Sequence, residues 1–147
     1  MDYTQDWELL FALKVQTHPA FCGEFEELIE HTGIQTRVMK LLLVRITMIH
    51  NMGIEALCAQ QGNNYEKLKG DGRGLYSLHL QGNNMNYRVL LSALDDGAIL
   101  LHSFYEREGK KNTGYHNAIP IAQERLREFT ESMRFKGGTR KDGKYKF

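Results

Sequence analysis

His79, Arg88, Tyr105 and Arg107 are the residues through which this chain could do chemistry. An imidazole titrates near neutral pH, and a guanidinium offers a fork of donors that matches phosphate oxygens. Arg88 lies inside the apolar run YRVLLSAL (87–94), and Arg107 lies just past AILLHSFY (98–105), with Asp95-Asp96-Gly97 between the runs. Two such runs around Asp-Gly read as a β-hairpin. Two arginines repel one another unless an anion sits between them, so their convergence would mark a phosphate site. Taken singly, each arginine would pair with Glu106 or Glu108, the ordinary fate of a surface arginine, and His79 would be an exposed strand residue.

With Asp96-Gly97 as the turn, Leu94 falls opposite Ile99 and Arg88 opposite Tyr105. One face then holds Tyr87, Val89, Leu91, Ala93, Leu100, His102 and Phe104, apolar enough to carry helices. The other holds Arg88, Leu90, Ser92, Leu94, Leu101, Ser103, Tyr105 and, one step on, Arg107; it is expected to stay uncovered. The preceding run LYSLHLQ (75–81) alternates, sending Tyr76, Leu78 and Leu80 one way and Ser77, His79 and Gln81 the other. Ser77 and His79 would join the polar end. A three-residue loop would instead slide the register by one and put His102 beside Arg88. The segment GKKNTGYH (109–116) adds Lys110, Lys111, Tyr115 and His116 near the electropositive start of the last helix.

The elements that must position these residues follow from periodicity. Trp7 to Val15 reads as a first strand, with helix as the alternative. Phe21, Phe25, Leu28 and Ile29 recur at helical spacing up to Gly33, and a second helix runs from about Gln35 to Asn51 before Gly53. Residues 62–74 form a turn-rich connector, and QGNNMN (81–86) a turn. The last helix is expected to begin near Asn117, a good N-cap, with Pro120 in its first turn and Ile119, Ala122, Leu126, Phe129 and Met133 as its apolar stripe.

At 147 residues the chain is expected to be one domain, residues 1–133, followed by a basic tail, 134–147. The net charge of +1 hides an asymmetry: residues 1–66 carry four basic and nine acidic side chains, whereas the tail carries six basic and one acidic. A basic tail on a near-neutral body points to a polyanion. The start carries acidic residues and no basic run before its first apolar stretch, unlike a signal peptide, and Leu41 to Val44 is too short an aliphatic run to span a bilayer. Cys22 and Cys58 have no close spacing partner, which suggests reduced thiols in the cytoplasm.

The ordered set LYSLHL, NYRVLL, DDGAILLHSFYER, a Lys-rich loop and a helix containing AQERL resembles the RelE/HigB-type toxins of bacterial and phage toxin–antitoxin modules, within the RelE/ParE superfamily. The match runs from about Tyr65 to Phe129. It implies an α+β fold, with a small, mainly antiparallel twisted sheet, an N-terminal helical pair and a C-terminal helix. It also implies ribosome-dependent cleavage of mRNA by attack of a 2′-hydroxyl on the adjacent phosphate, without metal or cofactor, and an antitoxin protein as partner. Carried over by position, the catalytic residues are His79, Arg88, Arg107 and Tyr115, with Ser77 beside them. Many relatives have lysine or arginine at the positions of Ser77 and His79, so the basic cluster is reduced here. Two extra residues near Gly109 leave His116 as a rival to Tyr115.

In that chemistry His79 takes the 2′-hydroxyl proton, and Arg88 and Arg107 stabilise charge growing on the phosphate. Tyr115 stacks on a base or protonates the leaving oxygen. Lys67, Lys69, Lys110, Lys111 and the tail grip RNA phosphates. Two other readings stand beside this one: a ParE-like toxin that binds DNA gyrase without chemistry, and a non-catalytic RNA-binding module.

Overall fold

The computed structural model of the protein describes residues 1–136. Its elements are α1 (Thr4–Phe11), β1 (Val15–Thr17), α2 (Phe21–Ile29), α3 (Gln35–Met52), α4 (Ile54–Ala59), β2 (Tyr65–Lys67), β3 (Tyr76–Gly82), β4 (Met85–Leu94), β5 (Gly97–Tyr105) and α5 (Lys111–Lys136). The sheet order is β1-β5-β4-β3-β2, with β1 parallel to β5 and all other neighbours antiparallel. The chain is therefore α+β, with a mainly antiparallel sheet. Among the described residues no helix is long and apolar enough to cross a membrane.

Helices form at Phe21–Ile29 and Gln35–Met52, where the apolar spacing places them, and Gly53 follows α3 with φ +82°. The first segment takes the helical alternative rather than the strand. Tyr3, Trp7 and Leu10 recur at helical spacing and are buried, while only Val15–Thr17 pairs as a strand. The connector contains β2 and a short 3-10 turn at Gly70–Gly72. The last helix begins at Lys111, six residues before Asn117, so Pro120 lies inside it and one backbone donor is missing there. Of the basic tail, residues 134–136 belong to α5, and 137–147 lie outside the described residues.

Both faces of the sheet are covered. Tyr76, Leu78, Leu80, Tyr87, Val89, Leu91 and Leu100 pack with Trp7, Phe21, Phe25, Leu42 and Ile46 of α1–α3. Leu75, Leu90, Ile99 and Leu101 pack with Tyr115, Ala118, Ala122 and Phe129 of α5. The expectation of an open sheet surface around Arg88 is thus corrected. The apolar stripe of α5 needs a partner, and Leu90, Ile99 and Leu101 supply it on the same face that carries Arg88.

The hairpin register is corrected as well. Asp95 and Asp96 make the turn, Leu94 pairs with Gly97, and the pairing shifts between Leu91↔Leu100 and Leu90↔His102. Leu101 is the extra residue, a bulge that reverses the facing of everything after it. Arg88 therefore pairs with Phe104, and Tyr87 with Tyr105. His102 and Phe104 turn to the α5 side, whereas Ser103 and Tyr105 turn away from it. Gly97 is required for a reason unrelated to turn conformation: a Cβ there would run into the carbonyl oxygen of Lys14, where β1 joins β5.

Candidate functional site

Three segments meet where α5 begins. β3 and β4 place His79 directly opposite Arg88, and the first turns of α5 lower Tyr115 onto them. The Tyr115 hydroxyl lies 2.7 Å from Ser77 Oγ and 3.3 Å from His79 Nε2. Ser77, His79, Arg88 and Tyr115 are all buried. Alternation along β3 carries this arrangement, because Tyr76, Leu78 and Leu80 are committed to the α1–α3 core and leave Ser77 and His79 to face α5. Of the two rivals at the last helix, Tyr115 lies in this cluster, whereas His116 is exposed.

Two carboxylates complete the cluster. Glu66 pairs with Ser77 across β2–β3 and brings Oε1 to 3.4 Å from His79 Nε2. Glu106, just past β5, receives Arg88 through both its oxygens: Arg88 Nε donates to Oε1 at 3.2 Å and Nη2 to Oε2 at 3.3 Å. Arg88 Nη1 also donates to the Tyr87 carbonyl, and Nη2 lies 3.4 Å from Gln81 Oε1. The Arg88 and Glu106 side chains are only 6% and 14% exposed. A carboxylate thus occupies the fork at which a phosphate was expected, as in the plain surface-pair reading of the sequence, except that the pair is buried.

Burial sets the protonation states. It pushes the His79 imidazole below its ordinary value, with the Arg88 charge acting in the same direction. It pushes the Tyr115 phenol up, although the Ser77 hydrogen bond opposes this. At neutral pH the cluster therefore holds a neutral imidazole, able to accept a proton, within 3.3 Å of a protonated phenol able to give one.

The other expected residues are dispersed. Arg88 is buried, whereas Arg107 is exposed and stands on the rim of two cavities at the end of β5. Tyr105 packs edge-on against Tyr87, with ring centroids 5.0 Å apart, away from the cluster. Lys67 shares the Tyr76 side and pairs with Glu55 at 3.0 Å. Lys69, Lys110 and Lys111 are exposed, and Lys111 lines the cavity that also touches Glu106.

Glu66, Glu106, Gln81 and Phe104 were not among the expected site residues. Glu106 was legible only as a possible partner of an arginine. Glu66 was hidden in a segment that reads as a connector, and Phe104 took its place through the bulge. A separate group, Glu24, His102 and Arg125, ties α2 to β5 and α5: Arg125 reaches both Glu24 oxygens at 2.7 Å and the Leu101 carbonyl at 2.9 Å. Cys22 and Cys58 are not bridged. Compared with known proteins, the chain matches no family model, no curated protein and no solved structure.

Proposed function

We propose that this chain is a toxin of the RelE/HigB kind that cleaves mRNA on the ribosome, acts in the cytoplasm and is held in check by an antitoxin protein. The observation that carries the reading is the convergence of Ser77, His79, Arg88 and Tyr115, drawn from three separate segments, into one cluster with an imidazole–phenol contact of 3.3 Å. In the reaction, His79 Nε2 takes the proton of an RNA 2′-hydroxyl as its oxygen attacks the neighbouring phosphorus. The P–O5′ bond breaks, and the Tyr115 hydroxyl gives its proton to the departing oxygen. Arg88 balances the charge on the phosphoryl oxygens, a contribution whose removal typically costs about 10²–10³ in rate. The products are a 2′,3′-cyclic phosphate and a 5′-hydroxyl. For this to occur the phosphate must take the place of the Glu106 carboxylate at Arg88, and Tyr115 must lift enough to admit the backbone.

The saturation of Arg88 by Glu106, Gln81 and the Tyr87 carbonyl favours a second reading. In it the network is structural and the chain is a ParE-like gyrase binder without chemistry. Induction in bacteria with mapping of new mRNA ends separates the two. Codon-phased cuts that vanish with Arg88→Ala support the nuclease; gyrase-linked DNA damage without such cuts supports the binder.

A further inference from the structure

A cavity of about 460 Å³ lies on the far side of Tyr115, between the end of β5 and the start of α5. Its wall is Phe104, whose ring packs edge-on against Tyr115 with centroids 5.1 Å apart. The wall is fixed: a Cβ at Gly114 would come within 2.9 Å of the Phe104 ring, so only glycine lets the ring lie this close to the helix. Ala118 and the exposed Ile121 continue the apolar surface, and Asn117 and His102 contribute groups that can donate or accept hydrogen bonds. Arg107 and Lys110 form the rim, brought together by a turn closed by Lys110 N donating to the Arg107 carbonyl, with Gly109 at φ +73°. Neither cation has an ion-pair partner among the described residues.

An aromatic wall, an amide and an imidazole able to meet a base edge, and two unpaired cations at one lip match a planar heterocycle carrying an anion. The volume suits one nucleotide. We propose that this cavity is a nucleotide subsite. It takes one unpaired base of the RNA against Phe104 and Ile121, with the attached phosphate on Arg107 and Lys110. This deepens the nuclease reading and rests on it for the identity of the ligand. It assigns Arg107, exposed at the cavity lip while Arg88 is buried, to a neighbouring phosphate rather than the scissile one. Because Phe104 separates the cavity from Tyr115, an occupying base presses on the phenol that closes the cluster, coupling substrate position to opening of the site.

The test uses the full chain and a 2′-O-methyl RNA hexamer of mixed sequence, which lacks the attacking hydroxyl and so binds without being cut. Amide NMR shifts on titration are expected at Phe104, Gly114, Asn117 and Ile121. Ile121→Glu, at an exposed helix position, places a carboxylate in the cavity and is expected to weaken binding about tenfold or more with thermal unfolding unchanged. Lys110→Gln is expected to lower the salt slope of binding by about 0.7, the loss of one phosphate contact on a single strand. Shifts confined to other surfaces, or an Ile121→Glu affinity equal to wild type, overturn the subsite. So does an acidic hexapeptide that fills the cavity when the RNA does not. The two readings fail separately: Arg88-dependent mRNA cuts with an untouched cavity remove only the subsite, and shifts in the cavity without any mRNA cuts remove only the nuclease.

Discussion

Replacing Glu106 by Gln isolates the most consequential contact in the cluster. The change keeps the shape and one acceptor but removes the charge that two Arg88 donors share at 3.2 and 3.3 Å. With both side chains nearly buried, an uncompensated guanidinium remains, and breaking a buried pair in this way costs about 3–5 kcal/mol. Because the Gln oxygen and the contacts to Gln81 and Tyr87 survive, the lower end applies. About 3 kcal/mol corresponds to a fall of roughly 6–12 °C in Tm for a chain of this size. If Glu106 stands where a phosphate belongs, an added anion should restore the loss. A ligand present at about 100 times its Kd returns about 2.7 kcal/mol, close to the whole deficit. The assay is thermal unfolding by circular dichroism in phosphate and in chloride of matched ionic strength. Phosphate should raise the Tm of Glu106→Gln by several degrees and leave wild type nearly unchanged. Equal response of the two proteins, or a variant as stable as wild type without phosphate, would refute the reasoning.

Further outcomes follow from the same contacts. Burial is the largest influence lowering His18, His79 and His102, so each contributes stability that is present above the unfolded-state value near 6.5 and lost as pH falls towards the folded value. The unfolding free energy from urea titrations should therefore decline below about pH 6.5, with a slope approaching about 1.4 kcal/mol per pH unit for each histidine involved; a flat profile from pH 7 to 5 would contradict this. Tyr115→Phe removes the proton donor and leaves the Ser77 and His79 contacts unmade; RNA cleavage should fall about 10²–10⁴-fold with a stability loss of about 1 kcal/mol, read by single-turnover kinetics and urea unfolding. Gly114→Ala should push Phe104 out of place and cost about 1–3 kcal/mol, and Gly97→Ala should cost at least as much because the backbone of Lys14 cannot yield as a side chain can; both are measured by urea unfolding.

Much of the fold was legible because its signals are periodic. LYSLHL declares its two faces through strict alternation, and Phe21, Phe25 and Ile29 declare a helix through four-residue spacing. His79, Arg88 and Ser77 could be grouped from alternation once the two strands pair, whereas Tyr115 was singled out only by the resemblance, with His116 as its rival. The bulge was not legible. Ile99, Leu100 and Leu101 are all apolar, so nothing in the side chains says which residue is extra, and an error of one residue reverses every facing beyond it. That single step misplaced Tyr105, His102 and Phe104. The true start of α5 was hidden because its first turn, Lys111 to Gly114, has no apolar stripe, while Asn117 looks like a cap. The covering of the Arg88 face was hidden for a simpler reason: an apolar stripe shows that a helix needs a partner and does not say which face it takes.

The chemistry of the ends left by the reaction tests the central claim most directly. Purified protein is mixed with ribosomes carrying a defined mRNA, and the new termini are identified for wild type, His79→Ala and Arg88→Ala. The proposed attack predicts 5′-hydroxyl and 2′,3′-cyclic phosphate ends with wild type and their loss in both variants. Cuts that persist in either variant at the wild-type rate, 5′-phosphate ends, or an intact message would contradict it.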